Sequence, residues 1–267
     1  MSRIANKFAA LRTGGRKGFI PFVTAGDPDI ESSLAIILRL AEFGPAVIEL
    51  GVPFSDPMAD GPTIQRSSQR SLTAGTNLDR IFELLTRFRE RSDVPLVLFS
   101  YLNPLLRFGF DRLCARAAET GVDGLLVTDV VGFEAIEIGE QLADSGIDLI
   151  SLIAPTTSDD RLAEICRSAT GFIYAVSRAG VTGVQNETSA TASALVGRAR
   201  RLTDLPVAVG FGISTAAQIG EVWNFADAAV VGSAIVAEIE GSIGRVDVVD
   251  AVGGFVSRLL PEIAKEV

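Results

Sequence analysis

Carboxylates are the groups in this sequence best suited to acid–base chemistry, and their placement is unusual. The stretch Val47-Ile48-Glu49-Leu50-Gly51-Val52 reads as a buried strand with a glutamate in its middle, and Asp56 and Asp60 follow in a loop bracketed by prolines. A carboxyl inside an apolar run loses hydration, which raises its pKa and suits it to proton transfer near neutral pH. The competing structural reading is a glutamate paired with an arginine inside the core. The pattern alone does not choose between Asp56 and Asp60 as a partner for Glu49, since Asp-Pro and Asp-Gly are both ordinary turn chemistry. The chain contains no histidine. Ser-His-Asp and Cys-His catalysis and histidine-ligated metal sites are thereby excluded. The lysines are Lys7, Lys17 and Lys265, and none follows a candidate strand.

Three glycine-bearing loops come late in the chain: Gly180-Val181-Thr182-Gly183, Gly210-Phe211-Gly212-Ile213-Ser214 and Gly232-Ser233-Ala234-Ile235. Backbone N–H groups at such loops and at the helix starts behind them can hold a phosphate without a lysine. That reconciles an anionic ligand with a net charge of −9. Phe22, Phe99, Tyr101, Tyr174 and Phe211 fall near expected strand ends and suggest a flat apolar pocket.

These residues need a scaffold. Apolar runs at Gly18–Thr24, Ala46–Gly51, Pro95–Tyr101, Gly124–Thr128, Asp148–Ile153, Gly171–Val176, Pro206–Gly210 and Ala228–Gly232 predict strands buried on both faces. Segments with helical spacing lie between them, among them Ile30–Phe43, Leu78–Arg91, Phe110–Thr120 and Ala190–Leu202. Repeated βα units in a chain of 267 residues predict a (β/α)8 TIM barrel, a single domain over 1–267, with a doubly wound open sheet as the alternative. Ser2–Leu11 adds an extra N-terminal amphipathic helix with Ile4, Phe8 and Leu11 on one face. In a barrel, catalytic groups collect where strands end, and the connections after the second and sixth strands, Pro53–Pro62 and Ser177–Thr188, are longer than usual. The second is expected to act as a lid.

Composition narrows the class further. Hydrophobic residues make up 48%, enough for a sizeable core. No apolar run is long enough to span a bilayer, and the start of the chain lacks a secretory signal pattern, so a cytoplasmic protein is expected. No Lys/Arg cluster points to nucleic acid. Cys114 and Cys166 are expected to be free, buried thiols.

The blocks Pro21-Phe22-Val23-Thr24-Ala25-Gly26-Asp27-Pro28, Glu49 to Pro62, Tyr101-Leu102-Asn103-Pro104 and Ser177 to Gly183 resemble those of the tryptophan synthase alpha chain family, and the resemblance covers essentially the whole chain. It implies cleavage of indole-3-glycerol phosphate to indole and glyceraldehyde 3-phosphate, with Glu49 and Asp60 as the catalytic pair. It implies an indole pocket of Phe22, Phe99, Tyr101, Ile153, Tyr174 and Phe211, and Thr182 in a closing lid. It implies phosphate contacts at Gly183, Gly212, Gly232 and Ser233. No cofactor is implied in this chain. The implied partner is a β chain carrying pyridoxal phosphate, in an α2β2 heterotetramer. A stand-alone lyase and a catalytically weak allosteric activator of the β chain are the alternatives. One departure is Asp129-Val130-Val131, where the family usually has Asp-Val-Pro; losing the proline removes a φ constraint.

Overall fold

The computed structural model describes residues 2–130, 132–176, 185–210, 212–245 and 247–260, without the side chains of Phe133 and of 185–188. Eight parallel strands, β1 (Gly18–Thr24), β2 (Ile48–Gly51), β3 (Leu96–Ser100), β4 (Gly124–Val127), β5 (Asp148–Ile153), β6 (Ile173–Val176), β7 (Val207–Gly210) and β8 (Ala228–Val231), pair in sequence order. The sheet closes where β8 pairs with β1, Gly18 opposite Ala228. The expected strands are all present, each within a few residues of its expected limits. The open-sheet alternative is excluded by the closure.

Alternation along each strand divides the apolar residues into two layers. Ile20, Val47, Val97, Leu126, Ile150 and Tyr174 fill the barrel interior. Their neighbours Val23, Leu50, Leu98, Leu125 and Leu149 pack against the outer helices. The N-terminal helix α1 (Arg3–Thr13) is started by Ser2, whose hydroxyl accepts the Ala5 N–H at 3.2 Å. It lays Ile4 and Phe8 against the interior cluster, with Phe8 and Phe172 ring centroids 5.7 Å apart. This plugs the end of the barrel where the strands begin.

Helix α2 (Ile30–Ala41) follows β1, and α4 (Leu78–Arg89) and α6 (Phe110–Glu119) occupy the other segments where helical spacing was strong. Helix α3 (Pro62–Thr73) directly follows the catalytic-loop candidate. Pro62 takes its first position, where a missing N–H costs nothing. Its buried face is Ile64, Ser67, Ser68 and Ser71. The serines succeed there because their hydroxyls are used: Ser67 pairs with Thr24 at 2.6 Å and Ser71 donates to the Ala25 carbonyl at 2.5 Å. Helix α9 (Gln185–Ala199) begins earlier than the expected loop end at Thr188, because its polar first turn has no apolar periodicity to announce it. Residues 177–184 of the expected lid lie outside the described residues. No helix among the described residues is long and apolar enough to cross a membrane.

Candidate active site

Glu49 sits on the inward face of β2, beside Phe22 of β1 and Val97 of β3 in the strand register. It is 0% exposed. Neither carboxylate oxygen has a hydrogen-bond partner among the described residues. Burial pushes its pKa from 4.5 to about 8. The arginine-paired alternative does not hold. Other buried carboxylates of this chain do have cations: Asp27 takes Arg70 through two 2.8 Å bonds, and Asp123 takes Arg89 at 2.6 Å and Arg3 at 3.0 Å. Glu49 is the contrasting case, a fully buried carboxyl with no partner among the described residues. Its nearness to Tyr174 is felt electrostatically: burial first, and the Glu49 charge second, push the Tyr174 hydroxyl's pKa up.

Asp60 lies in the loop between β2 and α3 and is half-buried. Tyr101, one residue past β3, lies beside Asp60 and so distinguishes it from Asp56. Its hydroxyl accepts the Ala59 N–H at 2.9 Å and is near enough to the Asp60 carboxyl to pull its pKa down. Burial raises Asp60 to about 6, with the Tyr101 hydroxyl pulling the other way. Asp56 is exposed and its carboxylate receives the Ser55 hydroxyl. The two carboxyls, Glu49 and Asp60, thus differ by about two units in opposite senses of use: one mostly protonated near neutral pH, the other mostly ionised.

Aromatic rings wall the mouth. Phe22 and Phe99 meet edge to face with centroids 5.3 Å apart, and Phe54 leans on Tyr101 at 5.3 Å. Two glycines make room for the rings. A Cβ on Gly51 would fall 2.6 Å from Phe22 Cζ, and one on Gly210 would fall 2.2 Å from the Tyr174 hydroxyl. Ile153 does not join this wall. Alternation along β5 turns Ile153 into the helix-facing layer and points Leu152 to the interior, so the expectation for Ile153 is corrected in favour of its neighbour. Thr182, Gly183 and Phe211 lie outside the described residues.

The remaining expected positions lie beyond β7 and β8. Gly212 has φ +77°, a left-handed conformation that favours glycine. Gly232 caps helix α11 (Ser233–Ser242) with no side chain bonded to the first turn, and Ser233 is exposed at its start. The opening N–H groups of a helix lack intrahelical partners, so this end offers donors and the positive end of the helix dipole. No group of three or more Asp, Glu or Cys side chains among the described residues could hold a metal ion.

A family model described as "Tryptophan synthase alpha chain" matches residues 8–252. The chain belongs to that family. It is 47% identical to the tryptophan synthase alpha chain of Citrifermentans bemidjiense over 265 residues, 99% of each chain. It is 50% identical to that of Gluconacetobacter diazotrophicus over 244 residues, 91% of this chain and 89% of the other. Among solved structures, tryptophan synthase subunit alpha from Legionella pneumophila superposes with a TM-score of 0.90 at 33% identity, covering 100% of this chain and 99% of that one. An aminoacrylate-bound tryptophan synthase structure from M. tuberculosis superposes at 0.87 and 30% identity, covering 99% of both.

Sequence reasoning did not single out Leu126 and Leu152 of the interior layer, or Gly51 and Gly210, which make room for the rings of this tryptophan synthase alpha chain. The signal for the glycines was present: each ends a strand on the face that carries the functional side chain two positions earlier or on the neighbouring strand. The leucines carried no signal, since an apolar residue reads alike on either face of a doubly covered strand.

Proposed function

We propose that this chain is the carbon–carbon lyase that cleaves indole-3-glycerol phosphate to indole and D-glyceraldehyde 3-phosphate, with Glu49 and Asp60 as its catalytic pair. The observation that carries the reading is the buried Glu49 carboxyl, without a partner among the described residues and raised to about 8, in a chain of this family. The indole ring acts as its own electron sink. Protonated Glu49 delivers its proton to ring C3, which converts the ring to an indolenine with positive charge at nitrogen. Asp60, ionised because its pKa lies near 6, accepts the ring N–H and stabilises that charge. The Glu49 carboxylate then removes the proton from the carbinol hydroxyl next to C3. The C–C bond breaks, its electrons return to the ring, and the carbinol carbon becomes the aldehyde. Glu49 ends protonated, as it began, and no redox partner is needed.

Phe22, Phe99, Tyr101, Leu152 and Tyr174 would enclose the flat ring, and backbone N–H groups about Gly212, Gly232 and Ser233 would take the phosphate. Thr182 and Gly183 are proposed, from the family resemblance, to belong to a loop that closes over Asp60 and the phosphate. A β chain is the partner of a tryptophan synthase alpha chain; that it carries pyridoxal phosphate, consumes the indole and assembles as α2β2 is our reading. Support for a docked partner lies beside the Asp60 loop, where Met58 is 93% exposed and a cavity of about 600 Å³ opens between Pro53, Phe54, Asp56, Asn103 and Pro104. The test is indole release from indole-3-glycerol phosphate by the purified chain, with and without a β chain. A chain that forms no indole in either condition would overturn the reading. A chain unaffected by the β chain would limit it to a stand-alone lyase.

A further inference from the structure

A charged network lies between α3 and α11, outside the residues assigned to chemistry. Asp27, just beyond β1, has a fully buried side chain. Arg70 of α3 donates to both its oxygens at 2.8 Å and reaches on to Glu240 of α11, also at 2.8 Å. Arg66, one turn earlier on the same face of α3, forks onto both oxygens of Glu240 at 2.8 Å. Glu240 is therefore gripped by two guanidinium groups of one helix. That helix is itself fastened to the end of β1 by Arg70–Asp27, Ser67–Thr24 and Ser71–Ala25.

The two helices lead back to the two halves of the site proposed above. Helix α3 starts at Pro62, immediately after the Asp60 loop, and α11 starts at Ser233. Ile64 and Val236 touch in a small cluster with Phe22 at the mouth. The clamp sits about one turn further along α11. Isolated surface ion pairs add little, but a bidentate fork on a shared carboxylate fixes geometry. An apolar contact at one level and a charged clamp at another leave the helices little freedom to pivot about each other.

We propose that Glu240 is a positioning residue. Through Arg66 and Arg70 it sets the spacing between the Asp60 loop and the phosphate cradle at Gly232 and Ser233. A ligand that carries an aromatic ring and a phosphate on one short chain would have to reach both places at once. The inference rests on the phosphate site proposed above. A wrong spacing leaves each half-site intact and penalises only a ligand that must occupy both, because the advantage of linking two binding groups depends on their separation.

The test compares wild type, Glu240→Gln and Arg66→Met. Both variants keep the Arg70–Asp27 pair, so no buried carboxylate is stranded. Titrations follow indole alone and glycerol 3-phosphate alone, and steady-state kinetics follow indole-3-glycerol phosphate. We expect the KM for the linked substrate to rise about 5- to 10-fold in Glu240→Gln and less in Arg66→Met, with each half-ligand bound within about twofold of wild type. A substrate KM that moves less than about threefold in Glu240→Gln would overturn the proposal. So would half-ligand affinities that fall as far as the substrate's, which would mean general loosening. A wild-type chain that fails to bind glycerol 3-phosphate would instead remove the phosphate site, and the positioning role with it.

Discussion

Replacing Glu49 with glutamine should separate the chemistry of this barrel from its stability. The amide keeps the side chain's size and has nothing to ionise. Burial holds the Glu49 carboxyl at about 8, whereas in an unfolded chain it returns to about 4.3. Between those two values the folded state keeps a proton that the unfolded state has released. Stability therefore falls as pH rises through this window, and below it the effect vanishes. The slope is about 1.4 kcal/mol per pH unit for one proton, flattening as the folded-state carboxyl begins to ionise. From pH 6 to pH 8 the wild-type chain should lose about 2 kcal/mol through this group, and Glu49→Gln should lose none of it. The same variant should lose at least about 100-fold in turnover, the lower end for a general acid–base group. The assay is urea-induced loss of the native state at pH 6, 7 and 8, at fixed ionic strength. The quantity of interest is the difference between wild type and variant, in which all other titrating groups cancel. A difference that stays constant with pH would refute the account of Glu49 as a buried carboxyl without a partner among the described residues. A folded variant with near-normal indole production would refute its role in proton transfer.

Tyr101→Phe removes the hydroxyl that accepts the Ala59 N–H at 2.9 Å and that lies near the Asp60 carboxyl. That hydroxyl lowers the Asp60 pKa, so its loss should raise Asp60 above about 6, move the acid limb of the kcat/KM profile to higher pH, and cost about tenfold in rate at pH 7. An acid limb that stays in place would exclude the Tyr101–Asp60 link. Gly51→Ala places a Cβ 2.6 Å from Phe22 Cζ, an overpacking that should cost about 1–3 kcal/mol and raise the KM for substrate by displacing the ring. Thermal unfolding and steady-state kinetics on that variant check both effects, and unchanged values in both would mean that Phe22 has room to move.

Much of the fold was legible because two physical signals were strong. Strands buried on both faces must be apolar throughout, which marked eight runs, and α1 carried Ile4, Phe8 and Leu11 at helical spacing. Glu49 stood out for the same reason: a charge has no cheap place in such a run. What was hidden needed tertiary information. Helix α3 buries Ser67, Ser68 and Ser71, and the Ser67 and Ser71 hydroxyls reach partners on and beyond β1, so its core face looks polar in sequence. Ile153 and Leu152 differ by one position, and only the register of β5 in the closed sheet decides which faces inward. Asp56 and Asp60 could not be told apart until Tyr101, from the next strand, was seen beside Asp60.

The contrast among buried carboxylates explains how one scaffold can be both stable and reactive. Asp123 lies near the end where strands begin and is saturated: Arg89, Arg3 and the Leu96 N–H at 2.8 Å all bind it. Asp27 is held by Arg70. Each of these pairs ties separate elements together, and breaking one would strand a buried charge at considerable cost. Glu49 ties nothing among the described residues. Below it, α1 seals the barrel with Ile4 and Phe8, which leaves the mouth as the side from which a partner for its proton can arrive. A substrate ring entering there meets an acid with no competing hydrogen-bond partner among the described residues. Pairing Glu49 with a cation would stabilise its anion and lower its pKa, and the carboxyl would then be ionised before the ring needed a proton. The lack of a structural partner for Glu49 among the described residues is therefore what fits it for the catalytic role proposed for it, and the stability expected to return in Glu49→Gln is the same quantity seen from the folding side.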